Sequence, residues 1–119
     1  MDPLNVLVVE DDAMIAELLA EVIADLGHVV CGIEATEEGA VAAAARCKPD
    51  LMIVDAQLGL GSGVDAVETI TRGGPVPHFF VSGNVSKVLA LRPHAVVLQK
   101  PYAEAALVRA MQSALAAPH

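Results

Sequence analysis

Apolar residues in this chain follow two alternating rhythms. Short continuous runs occur at Asn5 to Val9 (NVLVV), His28 to Ile33 (HVVCGI), Leu51 to Val54 (LMIV), His78 to Val81 (HFFV) and Ala95 to Leu98 (AVVL). Runs of this length without in-and-out alternation predict strands buried on both faces, as in a parallel sheet. Between them the spacing switches to that of a helix. Met14, Ile15, Leu18, Leu19, Val22, Ile23 and Leu26 recur on one side, with Glu17, Glu21 and Asp25 on the other. Asp12 is placed to cap this helix and Gly27 to end it. Thr36 can cap a second helix, which carries Glu37 and Glu38 in its first turn and the alanine-rich body Ala40 to Ala45. Val64, Val67 and Ile70 mark a third, broken by Gly73, Gly74, Pro75 and Pro77. Val85 to Ala90 predicts a short fourth helix that Pro93 stops. A last helix from about Ala103 to Ala116 has Leu107, Val108, Met111 and Leu115 on its inner face.

Strands alternating with helices imply an α/β fold with a parallel sheet covered on both sides. The expected architecture is a doubly wound three-layer sandwich of the flavodoxin-like type, with strand order 2-1-3-4-5. Residues 1–119 form one domain of ordinary size, with no internal repeat, low-complexity tail or linker. In that strand order the tips of strands one and three are neighbours. Glu10 and Asp11 then meet Asp55, the lone acid that ends the apolar run before the glycine-rich turn at Gly59, Gly61 and Gly63. The fourth and fifth strands bring Ser82 and Lys100 to the same edge.

Composition narrows the function. Aromatic residues make up only 3% of a chain that is 55% hydrophobic, so the core is aliphatic. Fifteen acids against seven Lys and Arg give a formal charge of −8. That argues against direct contact with nucleic acid or an anionic membrane, and suits a divalent cation and a partner with basic patches. Cys31 and Cys47 lack metal-ligand spacing and are expected reduced and buried, as in a cytoplasmic protein. No apolar run approaches membrane-spanning length, and the N-terminus does not read as a signal peptide. His28, His78, His94 and His119 are scattered and suggest no triad or metal cage.

Each piece of the strand-end set is commoner in a bland role. An acid cluster after a strand usually caps a helix, and a Lys-Pro pair is usually a turn. Together they are specific. Three carboxylates at one site repel one another unless a cation neutralises them. Hard oxygen ligands in small number suit Mg²⁺, which keeps waters and shares its sphere with a phosphoryl group. A carboxylate nucleophile, a metal, the Lys100 charge, the Ser82 hydroxyl and the backbone N–H groups of Ala56 and Gly83 are equipment for phosphoryl transfer to an aspartate.

From VLVVEDD at Val6 through PDLMIVD at Pro49, VSGN at Val81 and QKPY at Gln99, the chain resembles the receiver domains of two-component response regulators. The resemblance implies that Asp55 is the phosphoacceptor and that Lys100 and Ser82 contact the phosphoryl group. It also implies that Glu10, Asp11, Asp55 and the backbone carbonyl of Gln57 hold Mg²⁺, and that Lys100–Pro101 is a cis peptide. By the same resemblance, Asp11 is expected to be the direct metal ligand of the acidic pair. The implied partners are a histidine kinase or histidine phosphotransfer protein upstream and a protein target downstream. A homodimer through the fourth helix, fifth strand and fifth helix is a further expectation. Such a domain catalyses only its own phosphorylation and dephosphorylation.

The chain departs from the usual receiver pattern. Gly59 stands where proline is frequent, so the loop after Asp55 is expected to be more flexible. Val97 stands where many members carry an aromatic switch. The interval from Ser82 to Lys100 leaves little room for the fourth helix. In VSGN, that short helix and QKPY the chain resembles the stress- and light-response receivers of alphaproteobacteria. A competing reading is a receiver-fold interaction module that does not use phosphate. A Mg²⁺ phosphohydrolase of another α/β family needs an Asp-x-Asp motif, whereas Asp55 is followed by Ala56 and Gln57.

Overall fold

The structure is a computed structural model, and it describes residues 2–117. In chain order the elements are β1 (Asn5–Val9), α1 (Ala13–Asp25), β2 (Val29–Glu34), α2 (Glu37–Cys47), β3 (Leu51–Asp55), β4 (Gln57–Leu58), β5 (Gly61–Ser62), α3 (Gly63–Thr71), β6 (His78–Ser82), α4 (Val85–Leu91), β7 (Val97–Gln99) and α5 (Glu104–Ala116). The main sheet is parallel with order β2-β1-β3-β6-β7. With the small β4–β5 pair set aside, this is the expected 2-1-3-4-5 order.

Strand alternation divides the core in two. Val6, Val8, Leu51, Ile53, Phe79, Val81 and Leu98 face α1 and α5. Leu7, Val9, Met52, Val54 and Phe80 face α2, α3 and α4. Every residue of β3 is buried, which accounts for its unbroken apolar sequence. The three alanines Ala40, Ala43 and Ala44 let α2 lie close on its face of the sheet. The caps fall where the sequence puts them: Asp12 accepts from the N–H groups of Met14 and Ile15, and Thr36 from Gly39. Gly27 takes a left-handed φ of 93° just past α1. The Lys100–Pro101 peptide is cis. No helix among the described residues is long and apolar enough to cross a membrane.

The structure corrects several expectations. The α1 stripe is wider than the face it buries: Ala16, Leu19 and Ile23 are covered, while Met14 and Leu18 are 73% and 57% exposed. The inner face of α5 buries Leu107, Ala110, Met111 and Ala114, with Leu115 packed at its edge as expected, while Val108 lies outside the core cluster. The turn after Asp55 contains regular structure that its glycines did not suggest. It forms a β4–β5 hairpin in which Gln57 pairs with Ser62 and Leu58 with Gly61, and Gly59 supplies the positive φ of 57° at the bend. Cys31 and Cys47 are neither reduced nor fully buried. They are half-buried and joined to each other, their Cα atoms 6.1 Å apart. The physical reason is a bulge: Val6 pairs with Val30 and Leu7 with Gly32, so Cys31 is the extra residue of the edge strand, against the face that carries α2.

Candidate functional site

In a parallel sheet all strands end on one edge, and here that edge collects the predicted residues. Asp55 closes β3 and Glu10 follows β1; they are the buried charged residues of the described chain, at 8% and 5% exposure. Register explains their closeness, because Val9 pairs with Val54, one residue before each acid. Asp11 is exposed beside them. Glu10, Asp11 and Asp55 each offer a carboxylate oxygen, all within 4.8 Å of one another. Asp12 is not part of this group, because its side chain is committed to capping α1.

Lys100 follows β7 and its Nζ lies 2.7 Å from Asp55 Oδ2 and 3.5 Å from Glu10 Oε1. The other Asp55 oxygen, Oδ1, accepts the Gln57 N–H at 3.0 Å. Both carboxylate oxygens are thus oriented, one by a backbone donor and one by a cation. Glu10 Oε2 accepts the Asp12 N–H at 3.2 Å. Burial, joined by the neighbouring Asp55 charge, pushes the Glu10 carboxyl up to about 7, against the Asp12 N–H that pulls it down. Burial alone would lower the Lys100 ammonium, but its bond and charge interaction with Asp55, helped by Glu10, leave it raised. Burial likewise raises the Tyr102 phenol. Three hard carboxylate oxygens within reach of one point, one of them on an acid whose pKa burial raises, match the donor chemistry of a small divalent cation.

Ser82 ends β6 and borders the same cleft as Asp11, Asp55, Gln57, Asn84, Lys87 and Lys100, a space of about 760 Å³. Its hydroxyl accepts the Asn84 N–H at 2.9 Å, so it is turned toward its own loop. A second, apolar cavity of about 670 Å³ lies between α1 and α5, bordered by Ile15, Leu18, Tyr102 and Leu107, with Glu10, Asp55 and Lys100 at its end. Of the backbone donors expected at the site, the Ala56 N–H is spent elsewhere: it bonds the Val81 carbonyl at 3.0 Å and extends the sheet past Asp55. His28, His78 and His94 precede or begin strands and so lie at the opposite edge; His119 is outside the described residues.

Two residues escaped the sequence reading. A Cβ on Gly63 would overlap the Asp55 carbonyl oxygen and lie 2.7 Å from Val54 Cγ1. Gly63 lets α3 start directly against the strand that carries Asp55, with its N–H on the Ala56 carbonyl at 2.9 Å. The glycine run was the available signal, but it did not say which glycine mattered. Gln99 donates its side-chain amide to the carbonyls of Gly83 and Lys100. Nothing in a single Gln before a Lys-Pro pair announces that.

Comparison with known proteins gives one family. The response regulator receiver domain matches residues 6–112. The phyllosphere-induced regulator PhyR of Methylorubrum extorquens is 34% identical over 115 residues, which is 93% of this chain and 43% of that protein. The chain therefore spans less than half the length of this relative. The solution structure of the PhyR response regulator REC domain of Erythrobacter litoralis superposes with a TM-score of 0.89 at 34% identity, covering 100% of this chain and 97% of that one. A co-crystal structure of the anti-anti-sigma factor PhyR with the anti-sigma factor NepR, from Bartonella quintana, is similar over 66% of this chain and 32% of that one, with a TM-score of 0.63 at 35% identity.

Proposed function

The chain belongs to the response regulator receiver domain family, and from that premise we propose that it accepts a phosphoryl group on Asp55 and uses it to switch a protein contact. The observation that carries the reading is the Asp55 carboxylate, buried at a strand tip, bonded by Lys100 at 2.7 Å and flanked by Glu10 and Asp11. The donor is the phosphohistidine of a histidine kinase or histidine phosphotransfer protein. An Asp55 oxygen attacks phosphorus, the P–N bond breaks, and the imidazole leaves and takes up a proton. The product is an acyl phosphate on Asp55, which water later cleaves.

This chain's residues do the positioning that such transfer requires. The Gln57 N–H holds one Asp55 oxygen and fixes the plane of the carboxylate. Lys100, already drawn to Asp55, neutralises charge that develops on the phosphoryl oxygens. Ser82 turns from the Asn84 N–H to donate to the same group. Glu10, Asp11, Asp55 and the Gln57 carbonyl would hold Mg²⁺, which supplies charge neutralisation when bound. A bound cation there would offset the Asp55 charge that adds to burial in raising Glu10.

The output is a protein contact. The PhyR of Bartonella quintana is seen in complex with an anti-sigma factor, and a regulatory protein of that kind is the target we infer here, on the face made by α4, β7 and α5. A second copy of the chain would use the same face. The test is intact mass after incubation with acetyl phosphate and Mg²⁺. One phosphoryl adduct is expected, absent from Asp55→Asn. Equal labelling of that variant would overturn the assignment. An unlabelled wild-type protein that still binds its target would favour the module that does not use phosphate.

A further inference from the structure

We propose that Gln99 is a positioning residue whose side-chain amide ties the Ser82 loop to the Lys100 peptide, so that both reach the phosphoryl group as one unit. The inference rests on the phosphoacceptor reading above and adds to it a residue that acts through Ser82 and Lys100.

The β6–β7 ladder ends at the pair Ser82 and Gln99, and the Lys100 N–H bonds the Ser82 carbonyl at 2.9 Å. Past that point the chain leaves the sheet on both sides, into α4 and into the turn toward α5. The Gln99 side chain bridges the gap. Its Nε2 donates to the Gly83 carbonyl at 3.1 Å and to the Lys100 carbonyl at 2.9 Å. An amide nitrogen carries two hydrogens, and these contacts use both. Both neighbours are carbonyls and can only accept, so the opposite amide orientation would leave two oxygens facing a third.

The acceptors are not arbitrary. One belongs to the residue after Ser82, the other to Lys100 itself. Gly83 has no side chain to pack between these loops, and Val97, packed in the core cluster with Val88, lies further back along β7. Gln99 is exposed, so water competes for its bonds and they add little to global stability. Their effect is registration: a shift of Gly83 drags the Lys100 peptide, and the reverse.

The test uses the full chain with Mg²⁺ and beryllofluoride, titrated by NMR of the strand-end amides, for wild type, Gln99→Met, Ser82→Ala and the double variant. Gln99→Met keeps the length and removes both donors. We expect it to weaken beryllofluoride binding roughly fivefold, the value of one ordinary hydrogen bond. Its thermal midpoint should stay at the wild-type value, because a surface side chain is changed. The double variant should lose less than the product of the single losses, since both act through one loop. Wild-type binding with an unchanged affinity in Gln99→Met, or with multiplicative losses, overturns the positioning role and leaves the phosphoacceptor reading standing. A lowered midpoint with multiplicative losses assigns Gln99 a merely structural role and also overturns it. A wild-type chain that shows no beryllofluoride-dependent shift at Asp55 overturns both.

Discussion

Glu10 bears the cost of the site's geometry. Its carboxyl is buried beside Asp55, and burial with that neighbour raises it from 4.5 to about 7. A raised carboxyl pKa means that the folded chain holds the proton more tightly than the unfolded one between those two values. The stabilisation is present below about 4.5 and lost as pH rises through about 7. Glu10→Gln keeps the shape and removes the titration. In EDTA the variant should exceed wild-type stability at pH 8 by on the order of 1–3 kcal/mol, with the gain gone at pH 4.5. Urea unfolding at the two pH values reads this directly, and a variant weaker than wild type at pH 8 would mean that the Lys100 contact outweighs desolvation. The charged residues of the site were legible because each interrupts or follows an apolar run. Gly63 and Gln99 were not, since one acts by lacking a side chain and the other by reaching backbone that only the fold brings near.

At the scale of elements, sequence period located nearly every strand and helix but misjudged what each face touches. The α1 stripe reads as one apolar face, yet its Ile15 and Leu18 edge borders an open cavity beside α5 in place of the sheet. Periodicity reports amphipathicity, and the curvature of the neighbouring layer decides how much of the stripe is covered. The hairpin after Asp55 was hidden for another reason. Its strands are too short for any period, and Leu60, fully exposed at its tip, contradicts the usual pattern of polar turns. The same stretch gives a sharp contrast between glycines. At Gly63 an added methyl meets the Asp55 backbone, which cannot yield without moving β3. At Gly61 it meets the Glu37 carboxylate at 2.8 Å, the free end of a flexible side chain. Gly63→Ala should therefore cost about 3 kcal/mol or more and abolish labelling of Asp55. Gly61→Ala should stay within about 1 kcal/mol of wild type and label normally. Chemical denaturation and intact mass on the two variants separate them, and equal losses would show that the hairpin, not the Asp55 carbonyl, is the sensitive partner.

At the scale of the whole molecule, the question is where a change at Asp55 can spread. The first three helices are anchored by several buried residues each, such as Ala16, Leu19 and Ile23 on α1 and Val64, Ala66 and Val67 on α3. The fourth has seven residues and buries only Val88. Its N-cap, Asn84, accepts the Lys87 N–H, while its own N–H is held by the Ser82 hydroxyl. A Ser82 that turns to a phosphoryl group must let that N–H go. Charge-assisted bonds from Ser82 and Lys100 are worth roughly 1.5–3 kcal/mol each. That is enough to move a two-turn helix with one anchor and too little to repack a core. Val97 offers no ring to carry the change deeper, and its single stiff torsion leaves it few ways to respond. Beryllofluoride should therefore alter hydrogen exchange from Gly83 to His94, with the amides of Asn84 to Val88 changing most, and leave α1, α2 and α3 at their resting protection. The segment borders β7, so the altered surface is the one we assign to the partner. Protection changes concentrated in α1, with Gly83 to His94 unchanged, would place the output on the opposite face of the sheet and overturn this route.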